Sequence, residues 1–286
     1  MLQALRAAAI LTSFLALTLP LMPVQWLLIK LPFPQAKRFA RRLPHWYHRR
    51  VCRMIGIRIH TDGRLRPGEP VLIISNHVSW LDIPVLSAIG PVSFIAKKEV
   101  SGWPFVGSLA RLQRTVFVDR ERRLTVGDTA SEVEARIMDG DYIILFAEGT
   151  SSDGNQVMPF RSALFASTGV GQSRAGAAMP RAGQPAQVQT LAIAYTRLHG
   201  VAMDRFCRPH VAWYGDMEMA SHAWQLLKAG PLDVHIRISE PIALAAFDDR
   251  KALARYAETR VRGDMAELLR LTQRTPSEEI HNGSKK

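Results

Sequence analysis

The sequence predicts an α/β fold: a mixed sheet covered by helices, behind an N-terminal helical membrane-anchoring motif. Three observations carry this. Short apolar runs of strand length alternate with segments of helical periodicity. A stretch of 23 residues without a charge, Ala7 to Ile29, stands near the start. Charge is also divided unevenly: ten Lys/Arg and no acid precede Asp62, which leaves 27 basic against 25 acidic residues beyond it. A nearly neutral domain therefore follows a basic, apolar appendage. The expected boundaries are 1–55 for the anchor and its basic helix, 56–274 for the α/β domain and 275–286 for a polar tail. A chain of 286 residues, 47% hydrophobic and 22% charged, can bury a sizeable core, which excludes general disorder. Cys52 and Cys207 stand apart, so neither a disulfide scaffold nor a zinc motif is present and a reducing compartment is expected.

Taken in order, Ala7–Ile29 is long enough for the roughly 20 apolar residues that a bilayer core requires. It is too long for a cleaved leader and no A-x-A site closes it. Pro20 and Pro23 each remove a backbone donor and favour a kink, so one crossing and two short helices in one leaflet both remain open. The cluster Lys30, Lys37, Arg38, Arg41 and Arg42 beyond the segment predicts an inner (cytoplasmic) membrane location with the domain facing the cytoplasm. Phe39, Leu43 and Trp46 then mark an amphipathic helix, broken or bent near Pro44, suited to membrane lipids at headgroup level. The balanced charge of the domain argues against nucleic acid as a partner.

Ile57 and Ile59, alternating with Arg58 and His60, give a half-exposed strand. VLIISN (71–76) is a buried strand and the next residues, to Gly90, a short helix. SFIAKK (93–98), TVFVD (115–119) and YIILF (142–146) are further strands. Val126, Ala130, Val133 and Ile137 mark one helix face. Gly169 to Gln187 reads as a loop or insertion. QTLAIAYT (189–196) is a central strand, and Val234, Ile236 and Ile238 alternate in another. Leu253, Ala257, Val261, Met265 and Leu268 stripe a C-terminal helix, and the tail from Thr275 is polar.

Most catalytic templates are absent: there is no G-x-S-x-G elbow, P-loop or HExxH. Acid–base arrangements remain. His77 and Asp82 in NHVSWLD form a His-x4-Asp pair. The spacing alone says little, because His199 and Asp204 repeat it. Position separates the two pairs: His77 directly follows a buried strand, where an α/β sheet presents its site. On one ideal helix the two side chains would point about 140° apart. They can meet only if His77 lies in a turn and Asp82 in the first turn of a helix. Asp82 could then hold the imidazole N–H and leave the other nitrogen to take a proton. Asp119 and Arg120 close one strand, and Glu148, Gly149 and Thr150 follow another. Each also has the plainer reading of a turn cap or a solvated charge.

Together the three segments resemble the glycerolipid acyltransferase family, typified by bacterial 1-acylglycerol-3-phosphate (lysophosphatidate) acyltransferases. NHVSWLD is similar to its first block, N-H-x-S-x-x-D. RTVFVDR is similar to the second and FAEGTSSDG to the third, F-P-E-G-T-R-S, with QTLAIAY where a fourth would fall. The resemblance implies that His77 is the general base deprotonating an acceptor hydroxyl for attack on an acyl thioester, and that Asp82 orients it. The thioester would be carried by acyl carrier protein or coenzyme A, and the acceptor would be a lysolipid. It assigns Arg120, Glu148, Gly149, Thr150 and Ser151 to the acceptor site, and no metal, cofactor or covalent intermediate. Trp103 and Phe105 are candidates for the acyl groove.

The departures from the family pattern are informative. Ala147 and Ser151 replace the Pro and Arg of the third block, and the fourth-block proline is missing. Arginine binds phosphate bidentately, so its loss weakens the case for a phosphate-bearing acceptor. In this respect the chain resembles the lyso-ornithine lipid O-acyltransferase branch, where an arginine at 151 would repel the ornithine ammonium. Asp153 could face that ammonium or cap the turn before Gly154. Two other classes compete: a non-catalytic membrane lipid-binding protein of the same fold, which has no need of both His77 and Asp82, and a tethered hydrolase, which lacks a serine nucleophile motif.

Overall fold

The computed structural model describes residues 1–66, 71–119, 131–133, 135–137, 140–168 and 186–271. Two long helices open the chain, α1 (Leu2–Lys30) and α2 (Pro34–Ile55). They form an antiparallel hairpin. Arg6 Nη2 donates to Ile55 O (3.0 Å), the Thr18 and Tyr47 hydroxyls meet at 2.7 Å, and Gln25 Nε2 donates to Ala40 O (2.9 Å). α1 is one unbroken helix through Pro20 and Pro23, not two short ones, and α2 continues through Pro44. Chemistry explains the second result. Pro44 has no N–H for the carbonyl four residues back, which is that of Ala40, and the Gln25 amide supplies the donor in its place.

The first strand, β1 (Ile57–Asp62), is followed by β2 (Val71–Ser75), α3 (Asp82–Ile89) and β3 (Val92–Lys97). Next come α4 (Val106–Leu112), β4 (Val116–Val118) and β5 (Tyr142–Phe146). β6 (Gln187–Leu198) forms a hairpin with β7 (Val201–Ala202). α5 (Met219–Ala229), β8 (Leu232–Ile238), β9 (Ile242–Ala243) and α6 (Arg250–Leu271) complete the described chain. The sheet order is β1-β8-β6-β2-β5-β3-β4, with β7 and β9 on β6. β6, β2, β5, β3 and β4 run parallel, β8 is antiparallel to β6, and β1 parallels β8. The mixed, helix-covered sheet expected from the sequence is present.

Because β2, β5 and β6 are covered on both faces, their side chains are apolar on both, and two cores result. One holds Ile73, Ile144 and Ile193 with Val51, Ile55, Leu81 and Val85 of α2 and the α3 region. The other holds Leu72, Ile143 and Ala192 against the stripe Leu253, Ala257, Val261, Met265 and Leu268 of α6. α1 joins the first core through Ala7, Ile10 and Phe14. Val133 and Ile137 are buried as their spacing predicts, whereas Val126, Ala130, residues 169–185 and the tail lie outside the described residues.

Candidate active site

The parallel strands β2 and β5 end side by side, with Ser75 opposite Phe146. Their exits carry the first and third sequence blocks. His77 lies in the non-helical turn after β2, and Asp82 is the first residue of α3, the arrangement that the five-residue spacing demanded. His77 Nδ1 sits 2.7 Å from Asp82 Oδ2. The same oxygen accepts the backbone N–H of Val78 (2.7 Å) and Ser79 (3.1 Å), and Oδ1 accepts the Tyr195 hydroxyl (2.8 Å). The fully buried carboxyl is thus met by four donors. It fixes the proton on Nδ1 and leaves Nε2 with a free lone pair. The Phe146 ring stacks on the imidazole at 4.0 Å between centroids, 17° from parallel, which holds the ring plane. The His77 side chain retains 19% exposure.

Tyr195 was not foreseen. It is a polar tip on β6, deep in the sheet, and that exception among Leu191, Ile193 and Ala194 was its one sequence signal. Burial, followed by the Asp82 charge, pushes its pKa well above the usual phenol value, so it remains a donor. Asn76 was likewise unforeseen. Its amide donates to Ile193 O (3.0 Å) and accepts Ile193 N–H (2.9 Å), tying the chain before His77 to the neighbouring strand.

The third block turns back over the first. Gly149, at φ +73°, makes the tight turn after Glu148, a backbone conformation that suits glycine. Ser152 N–H donates to His77 O (2.9 Å). Glu148 does not face outward: Oε1 accepts His77 N–H and Oε2 accepts Met158 N–H, each at 2.7 Å, and the residue is 1% exposed. Burial raises its pKa to about 8, against the lowering effect of those two N–H groups. Thr150 is exposed, and Ser151, half-buried, donates its hydroxyl to Trp213 O. Asp153 closes a turn by accepting Asn155 N–H (3.0 Å) and the Asn155 amide (3.1 Å). Arg120 lies outside the described residues, while Asp119 pairs with Lys98 at 2.9 Å. The Trp103 ring meets Trp213 edge-on at 6.1 Å, and Phe105 meets Phe14 of α1 at 6.4 Å. The decoy pair does not assemble: Asp204 caps its own turn through the N–H groups of Phe206 and Cys207, and His199 reaches Ala229 O.

A mixed α/β sheet with a His–Asp pair at the exit of a central strand defines the class. The chain belongs to the acyltransferase family, which residues 56–169 match, and is an acyltransferase. Among its relatives, a lyso-ornithine lipid O-acyltransferase of Brucella abortus (strain 2308) is 48% identical over 262 residues, 92% of this chain and 94% of that protein. A second lyso-ornithine lipid O-acyltransferase, of Rhizobium meliloti (strain 1021), is 39% identical over 88% of this chain and 83% of its own. A 1-acyl-sn-glycerol-3-phosphate acyltransferase of Neisseria meningitidis serogroup B is 31% identical over 72% and 74%. The fold is similar to the crystal structure of the 1-acyl-sn-glycerophosphate acyltransferase from Thermotoga maritima. The TM-score is 0.65 at 19% identity, with 93% of this chain and 95% of that one covered.

Proposed function

We propose that the protein transfers a fatty acyl group from an acyl thioester, carried by acyl carrier protein or coenzyme A, to the free hydroxyl of lyso-ornithine lipid. The observation that carries the reaction type is the His77–Asp82 pair, with no partner on Nε2 among the described residues. Nε2 takes the acceptor hydroxyl proton as the oxygen attacks the thioester carbonyl. The tetrahedral oxyanion then collapses, and the imidazolium returns the proton to the departing thiolate. Asp82 stabilises that imidazolium. The acceptor reading is supported by the serine at 151 and by the 48% identity to a lyso-ornithine lipid O-acyltransferase over nearly both chains. Arg120, Gly149, Thr150 and Ser151 remain the proposed acceptor wall. Glu148, whose two oxygens are taken by backbone donors, holds that wall against His77 instead of touching the headgroup. Purified protein incubated with labelled acyl thioester and a panel of lysolipids should diacylate lyso-ornithine lipid at least tenfold faster than 1-acylglycerol-3-phosphate. The reverse order would reassign the acceptor.

The anchor is read as residues 1–55, lying in the cytoplasmic leaflet of the inner membrane. α1 is long and apolar enough to cross a bilayer. It is nevertheless paired along its length with α2, which carries Arg38, Arg42, Arg49, Arg50 and Arg53. Drawing α1 through the hydrocarbon would take those charges with it, at about 2.5–3.5 kcal/mol each at the centre. The arrangement favours α1 lying flat, with Leu11, Leu15, Leu19 and Trp26 immersed and the arginines on anionic headgroups. Leu15→Glu with Leu19→Glu changes only exposed positions. It should leave the melting temperature unchanged and convert salt-resistant binding to anionic vesicles into binding released by high salt, read by flotation. Unchanged flotation in high salt would remove α1 from the membrane contact.

A further inference from the structure

The segment between β7 and α5 is bonded to the first and third blocks, and one buried cation in it has no ion-pair partner among the described residues. Trp213 N–H donates to Val78 O (3.0 Å) beside His77, and Ser151 bonds Trp213 O, so this segment is stitched to the first and third blocks. Arg208 lies five residues before Trp213. Its Cβ is 3.8 Å from where a side chain on Gly154 would begin, and Val78 Cγ1 is 3.1 Å from the same point, so the three segments converge there. Arg208 is only 6% exposed, yet Nη1 donates to the neutral Asn155 amide oxygen (2.7 Å) and Nε has no partner. Among the described residues no carboxylate comes within ion-pair distance of it. The nearest acids in electrostatic reach, Asp153 and Asp204, are engaged with Asn155 and with backbone N–H groups. A buried guanidinium with one neutral acceptor and acids only at longer range keeps unspent N–H donors, and a buried charge is costly unless it is directly paired and hydrogen-bonded.

We infer that Arg208 is the anion-reading residue of the acceptor site, supplying from this segment the guanidinium that Ser151 leaves out of the third block. Its ligand is an oxyanion on the acceptor headgroup, an α-carboxylate or a phosphate, bound by the fork of unspent N–H donors. Asn155 sets the orientation of that fork through Nη1 and is itself braced by Asp153 and Arg205 O. The geometry accounts for two sequence features at once: an arginine can leave position 151 without the site losing its cation, and Asp153 is occupied with bracing Asn155. The inference rests on the acyltransfer reading above and specifies its headgroup contact.

The test uses full-length protein in mixed micelles with lyso-ornithine lipid, its α-carboxyl methyl ester and 1-acylglycerol-3-phosphate, with turnover and equilibrium binding measured separately. Wild type should use the ester about 10- to 100-fold less well than the acid, the usual worth of a charge-assisted bond. Arg208→Met should raise KM for the acid by a similar factor at little cost in kcat, and bring the acid-to-ester ratio close to one. Asn155→Asp presents a carboxylate to Arg208 from within the protein. It should weaken acid binding more than ester binding, at some cost in stability because it also faces Asp153 and Arg205 O; the wild-type acid-to-ester ratio, which needs no variant, settles the matter if either variant is unstable. Equal losses on acid and ester, or a wild type indifferent to esterification, would show a purely structural arginine and overturn the inference. Strict dependence on 1-acylglycerol-3-phosphate, lost in Arg208→Met, would name phosphate as the source of the anion. Arg208-dependent binding of the acid without any acylation would sink the acyltransfer reading alone.

Discussion

His77→Ala should lower kcat for acyl transfer by about 10²–10⁴-fold, the range for loss of a positioned general base. The fold should survive. The imidazole is held at the surface of the core by one bond to Asp82 and by the Phe146 ring, and the backbone bonds of residue 77 to Glu148 and Ser152 do not need its side chain. Asp82→Asn should separate charge from position. Its amide oxygen can turn toward the His77, Val78 and Ser79 donors while its NH2 points to Tyr195, whose hydroxyl can accept as well as donate. The imidazole then keeps its tautomer and loses only the negative charge that steadies the imidazolium. The rate should fall with KM nearly constant. Asp82→Ala, by contrast, strands four donors in the interior and should lower the melting temperature as well. Single-turnover transfer from a labelled thioester gives the rates. Wild-type turnover by His77→Ala would falsify the base assignment.

What the sequence made legible follows from how much of the information is local. Strand and helix alternation depends on short-range periodicity, and VLIIS, YIILF and the α6 stripe fall where their patterns place them. The His77–Asp82 geometry was also local, since a five-residue spacing allows contact only across a helix start. Pro44 misled because its effect depends on a partner 19 residues away: Gln25 restores the donor that Pro44 lacks, and α2 does not break. Three further features are tertiary. Tyr195 reaches Asp82 across 113 residues, Arg208 meets Asn155 across 53, and the direction of β8 depends on where α5 returns the chain. Glu148 shows the limit most directly. Block order placed it at the site, but that its carboxyl points inward is decided by the fold, which sets the His77 and Met158 N–H groups around it.

Glu148→Ala is expected to cost substantial stability, though with two stranded donors it should lose less than Asp82→Ala with four. It frees the N–H groups of His77 and Met158 where water does not reach, each costing about 1–3 kcal/mol. The backbone of His77 loses its anchor at the same time, so kcat should fall with stability. Glu148→Gln distinguishes position from charge. In the wild type, burial raises the Glu148 pKa from its ordinary value near 4.5 to about 8. A carboxyl whose folded pKa lies above its unfolded one favours the folded state fully only below the unfolded value, and that contribution is lost as pH rises through the folded one. Wild-type stability should therefore carry a declining component between about pH 4.5 and pH 8, which glutamine, having no proton to lose, should remove. Thermal melts of both proteins across that window test this directly. A difference between the two melting curves that stays flat with pH would mean that Glu148 is ionised throughout, a carboxylate held by its two N–H donors. A difference that narrows as pH rises would place a neutral, proton-bearing Glu148 beneath His77 at physiological pH, so that the backbone of the general base is positioned without a second negative charge beside Asp82.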